Sequence, residues 1–172
     1  MRVFTVLTMM GVLFVACGQQ GTEPAESSAK ETRRSESAED LFTAYERVRS
    51  QLANDELVVG ESFNSVAEAA RATSSVLSGA AKGHLEQLAS AAESAADKAP
   101  QELDQAREAF GEVSRHLIAL LSAEPDLTAG RHVFECPMAK SYPKWVQASD
   151  TVSNPYMGPE MATCGVASEW QP

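Results

Sequence analysis

The sequence predicts an all-α fold: an antiparallel four-helix bundle with an irregular Pro/Cys/Met-rich C-terminal segment packed on it. Three observations lead there. Apolar residues recur every three to four positions from Ala38 to Ala123. Aromatic residues make up only 6% of the chain, and alanine is abundant. That mixture suits amphipathic helices better than a sandwich or barrel, which draws on β-branched and aromatic residues. From Pro125 onward the helical period disappears, and six of the eight prolines lie there with both tryptophans, Trp145 and Trp170.

Length and charge narrow the function classes. The chain has 172 residues, enough for one domain with accessories. Lys and Arg number 14 against 24 Asp and Glu, a formal charge of −10. Such an acidic chain is a poor partner for nucleic acid, where Lys and Arg supply most of the affinity. The phosphate-binding, dinucleotide, serine-hydrolase and zinc-protease motifs are missing from the sequence, so the expectation is a protein that is not an enzyme.

The elements follow in chain order. Met1-Arg2 is a short positive start, and Val3 to Ala16 is apolar apart from two threonines and Gly11. A run of this size is too short to span a bilayer and fits the apolar region of a signal peptide. It ends at Phe14-Val15-Ala16-Cys17-Gly18, which resembles a bacterial lipobox, with Phe14 where that pattern usually has Leu. That resemblance implies a signal peptide over 1–16 and lipidation of Cys17. It also implies a membrane anchor through the lipid, on the periplasmic face of the outer membrane if the host is Gram-negative. The alternative is a plain secretory peptide with a free Cys17. Residues 17–37 are rich in Gln, Glu, Ser and Thr, too polar to offset their ordering entropy, and read as a flexible tether.

The bundle is expected over 38–124. Its seams are Leu41, Tyr45, Val48 and Leu52; then Val59, Phe63, Val66, Ala70, Thr73 and Leu77; then Ala81, Leu85, Leu88, Ala92 and Ala95; then Leu103, Ala106, Phe110, Val113, Leu117 and Leu120. Asn54-Asp55 reads as the cap of the second helix. Gly79 and Gly83 bracket that helix's end, and Pro100 with Glu102 suits the start of the fourth. Pro125 stops the fourth helix. Short connections make neighbours antiparallel. The alanine-rich second and third helices bury little per residue, so the C-terminal segment is expected to add stability.

Residues 125–172 form an irregular segment of the same domain, ordered only if packed on the bundle or stapled. Trp145 and Tyr156 are its expected anchors. Its sulfur content is concentrated. Beyond residue 17, every Met (Met138, Met157, Met161) and both remaining cysteines (Cys136, Cys164) fall between 136 and 164. Were methionine only filling core gaps, it would also occur in the bundle. Cys136-Pro137-Met138 is expected to be extended, which would place Cys136 and Met138 on one face. Pro159 can start a turn carrying Met161 and Cys164 on one side, and Asn154-Pro155 and Gly158 can fold the second half back on the first.

Thiolate and thioether donors select Cu(I) and similar soft ions, whereas zinc prefers tightly spaced Cys and His. The candidate ligands are Cys136, Met138, Met161 and Cys164, followed by Met157 and His132. Two readings stand side by side: a metal site using one or both cysteines, or a structural Cys136–Cys164 disulfide in an exported domain. The methionines with a histidine could also hold Cu(I) beside a disulfide. His84 and His116 read as polar positions on or beside a helix seam, His116 near where the segment would dock. A cysteine hydrolase using Cys136 or Cys164 with His116 or His132 lacks any signature around either cysteine.

One longer pattern is present. The string Cys136-Pro137-Met138-Ala139, Trp145-Val146, Asn154-Pro155-Tyr156-Met157-Gly158, Met161 and Cys164-Gly165 resembles a domain-of-unknown-function family. Its members occur fused to the C-terminus of CusB-type copper/silver efflux adaptors and as stand-alone exported lipoproteins. Phe110, Ser114 and Leu117 to Leu121 are similar to that family's last helix. The resemblance implies a helical domain in envelope heavy-metal handling, with an efflux adaptor or another envelope protein as partner. It supplies no ligand set.

Overall fold

The computed structural model describes residues 23–172. The signal-peptide and lipidation expectations, Cys17 included, lie outside them. Four helices, α1 (Glu23–Ala53), α2 (Gly60–Ser74), α3 (Gly79–Lys98) and α4 (Leu103–Ala123), precede a small sheet of β1 (His132–Glu135), β2 (Lys144–Gln147) and β3 (Val166–Ala167). Each helix packs on the next, and α1 meets α4 to close the bundle. None of these helices is long and apolar enough to cross a membrane.

The predicted seams form the core. Leu41, Tyr45, Leu52, Phe63, Leu85 and Phe110 are all buried, and so are the alanines at 70, 92 and 95. Leu77 and Leu103 are half-buried at the core's edge, and Val59 is the exposed exception. It precedes α2 in an extended conformation and is exposed, because the backbone has not yet turned helical there.

Four boundary expectations are corrected. The first helix starts at Glu23, so residues 23–37, expected as part of the tether, are helical. Their Ala, Glu, Lys and Arg are good helix formers, and Pro24 suits a first turn. The helix is also tied down: Arg34 pairs with Glu124 beyond the end of α4, and Thr73 donates to the Ser37 carbonyl. Asn54-Asp55 closes α1 rather than opening α2. The Asn54 amide donates to the Ser50 carbonyl, and Asp55 takes the left-handed conformation (φ 57°) that Asn and Asp tolerate. Gly79 opens α3 with φ 66°, and Gly83 lies inside that helix.

The C-terminal segment contains a sheet, so the fold is mostly helical but not all-α. The strand order is β2-β1-β3, both pairings antiparallel. Val133-Phe134 and Trp145-Val146 are apolar residues of high strand propensity between turns. Both pairs are buried.

This cap sits on α1 and α4 through β2. Trp145 is fully buried and Tyr156 nearly so, as expected of anchors. Tyr45, Phe110, Tyr156, Trp145 and Phe134 form a chain of ring contacts with centroids 5.0 to 5.9 Å apart, within the range favoured by aromatic pairs. A buried hydroxyl junction joins three elements. The Tyr45 hydroxyl lies 2.8 Å from Ser114 Oγ on α4 and accepts the Val146 N–H of β2. Burial pushes the Tyr45 phenol far above its ordinary pKa, so it stays neutral. Gly111 lets the 141–142 backbone lie against α4; a Cβ there would stand 3.0 Å from Ser141 Oγ.

Trp145→Ala should therefore cost about 3–5 kcal/mol in urea unfolding. Val166→Ser, on an exposed edge position, should stay within about 0.5 kcal/mol.

Candidate functional site

The register of β1 and β3 builds the site. Glu135 pairs with Val166, so the next antiparallel step sets Cys136 opposite Gly165, one residue from Cys164. The two Sγ atoms lie 3.6 Å apart, both as free thiols. Cys136 is fully buried, whereas Cys164 is partly exposed. The thiol contact with Cys136 is the main cause that raises the Cys164 pKa, and burial adds to it. Both effects disfavour the thiolate.

Each cysteine shares a tight turn with one methionine. The Ala139 N–H donates to the Cys136 carbonyl, closing Cys136-Pro137-Met138-Ala139 as a turn. This corrects the extended Cys136-Met138 expectation: the strand ends at Glu135, and proline at the second position favours a turn. Met138 is 55% exposed. In the second turn, a 3-10 segment at Pro159–Met161, the Cys164 N–H donates to the Met161 carbonyl, as the spacing predicted. Met161 is 37% exposed. Both thioethers thus lie outside the buried core.

Met157 packs beside the core and lines a cleft of about 850 Å³ that Met138 also lines, with Arg107, Arg115 and Tyr142. Arg115 lies over the Tyr142 ring. The Tyr142 phenol is pushed up to about 12, chiefly by burial, so it stays protonated.

The histidines are not brought to the sulfur pair. His132 begins β1, four extended residues before Cys136, and about 3.3 Å per residue places them roughly 13 Å apart. His116 is half-buried and lines a cleft between α3 and α4 with Ser90 and Ala91, away from the expected docking face. Burial lowers its pKa. His84 is also half-buried on α3. Among the described residues no group of three or more His, Cys, Asp or Glu converges.

Sequence reasoning read Asn154 only as a turn former. It is fully buried and ties the turn that carries Cys164 to the 154–157 turn. Its Oδ1 accepts the N–H groups of Tyr156 and Met157, its Nδ2 donates to the Cys164 carbonyl, and its own N–H donates to the Ala162 carbonyl. The legible signal was an Asx turn at Asn-Pro. The link to Cys164 depends on tertiary folding. Gly165 completes the fit, since a Cβ there would lie 2.7 Å from the Trp145 ring.

Comparison of the chain with protein-family models, with curated proteins and with solved structures returns no match in any of the three. The family resemblance thus rests on the motif residues alone.

Asn154→Ala should cost about 2–4 kcal/mol in urea unfolding, through lost bonds and unpaired buried groups. It should also speed alkylation of Cys136, now shielded; an unchanged alkylation rate would mean that Asn154 does not hold the pair together.

Proposed function

We propose that this chain is a non-enzymatic, lipid-anchored envelope protein that binds a soft metal ion, Cu(I) first, and hands it to an efflux partner. Cys136 and Cys164 supply the thiolates, with Met138 and Met161 as thioether donors and Met157 beside them. The observation that carries this reading is the 3.6 Å contact of two thiols, each in a turn with an outward methionine. Soft ions prefer such sulfur sets, and thioethers stay usable in an oxidising compartment because they form no disulfides and have no proton to lose near neutral pH. Transfer would proceed by ligand exchange, each incoming sulfur replacing an outgoing one. The resemblance of the Cys136–Gly165 motif residues to domains attached to copper/silver efflux adaptors is what suggests this ion and partner. A binding role is favoured over cysteine hydrolysis because His132 and His116 both lie away from the thiols.

A second reading is favoured by the full burial of Cys136. Here the protein is a structural or interaction lipoprotein, and a permanent Cys136–Cys164 bond staples the cap. The bridge would enclose 27 residues and contribute roughly 3–4 kcal/mol.

The test uses the full chain with Cys17→Ser, so that the pair supplies the only thiols. Anaerobic competition of Cu(I) against a chromophoric chelator should give one ion per chain, bound tighter than micromolar. Met138→Ala with Met161→Ala should weaken binding at least about tenfold. Binding no tighter than micromolar, or unaffected by the methionine changes, would refute the soft-ion reading; a purified protein already lacking two protons and free of metal would favour the staple.

Binding should also tighten as pH rises. The Cys164 thiol is held above its ordinary pKa, so protons compete for the ligand at neutral pH. Each proton displaced gives up to about a tenfold gain in affinity per pH unit below that pKa. A titration from pH 6 to pH 8 with a flat response would mean that the thiols are not ligands.

A further inference from the structure

We propose that Cys164 is a thiol-exchange site for disulfide-bearing molecules, that Cys136 resolves the adduct, and that the resulting bond switches ion capture off. The inference rests on the soft-ion reading above and adds its regulation.

Access differs sharply within the pair. Cys136 is fully buried at the end of β1, its N–H donated to the Pro143 carbonyl and its own carbonyl held by Ala139. Cys164 is partly exposed in the turn after Met161. Thiol–disulfide exchange needs the attacking sulfur to reach a disulfide from outside, and access governs its rate. Only Cys164 meets that condition. Once Cys164 carries a mixed disulfide, Cys136 is already in contact with the sulfur it must attack. Closing 3.6 Å to the bonded distance requires a shift of about 1.5 Å.

The steps balance. The Cys164 thiolate attacks an external disulfide, forming a Cys164 mixed disulfide and releasing one external thiol that takes up the proton. The Cys136 thiolate then attacks Cys164 Sγ, forming the Cys136–Cys164 bond and releasing the second external thiol. The pair loses two electrons, and the external disulfide gains them. Neither cysteine is then a thiolate, and His132 lies too far away to replace one. The remaining thioethers, Met138, Met157 and Met161, form a weaker set.

The probe is glutathione disulfide, added to the reduced full chain with Cys17→Ser and followed by intact mass. The parent protein should lose two protons without lasting adduct. Cys136→Ser should accumulate one glutathione adduct on Cys164, and Cys164→Ser should react at least about tenfold more slowly. Limiting iodoacetamide on the parent protein gives a check free of variants, and the first label should fall on Cys164. Equal or faster labelling of Cys136, or a pair that never closes, would overturn the assignment. Cu(I) competition on the reduced and closed forms completes the test. Capture by the reduced form only supports the switch. Equal capture by both forms overturns the switch and leaves the soft-ion reading intact, whereas no capture by either removes that reading and the switch with it.

Discussion

The short ladder between β1 and β3 makes one site from two cysteines 28 positions apart. Antiparallel register leaves little freedom: a one-residue slip would send the side chain of each partner to the opposite face. The ladder is only two residue pairs long, so it depends on what lies beneath it. Trp145 and Phe134 fill the space below, and the Tyr45–Ser114–Val146 junction holds β2 to α1 and α4. The site is therefore coupled to the bundle through the aromatic core.

This arrangement also accounts for the composition of the helices. Alanine-rich α2 and α3 pack closely but bury modest area per residue, whereas the large rings concentrate where the cap meets α1 and α4. Ion pairs spanning sequence-distant elements, Arg107 with Asp55 and Arg131 with Glu39, lie along the same margin. Exposed pairs of this kind contribute little alone. Arg107 and Arg131 are mostly covered, however, and Arg107 also donates to the Leu52 and Pro155 carbonyls, so it orders the α1 terminus against the cap.

Much of this was legible in the residues, and the failures have physical causes. The helical seams were readable because period and burial coincide at Leu41, Tyr45, Leu85 and Phe110. The anchoring of Trp145 and Tyr156, the Met161–Cys164 turn and the approach of the two cysteines were likewise accessible from residue type and spacing. The helix over residues 23–37 was missed because its surface is polar, and hydrophobic period is silent where only a few contacts, such as Arg34 to Glu124, fix the segment. The strands were missed because Val133-Phe134 and Trp145-Val146 are short and buried on both sides, which erases alternation. His132 was grouped with the thiols by sequence distance, whereas a strand carries it away.

The central claim is that sulfur atoms from two separate turns, and no other donor type, hold one soft ion. X-ray absorption at the copper edge, on the reduced full chain with Cys17→Ser loaded with one Cu(I), tests it most directly. The account predicts a first coordination shell made of sulfur alone, lost when Cys136 and Cys164 are both replaced by serine. A shell containing imidazole nitrogen or carboxylate oxygen, or one unchanged in the double variant, would contradict it.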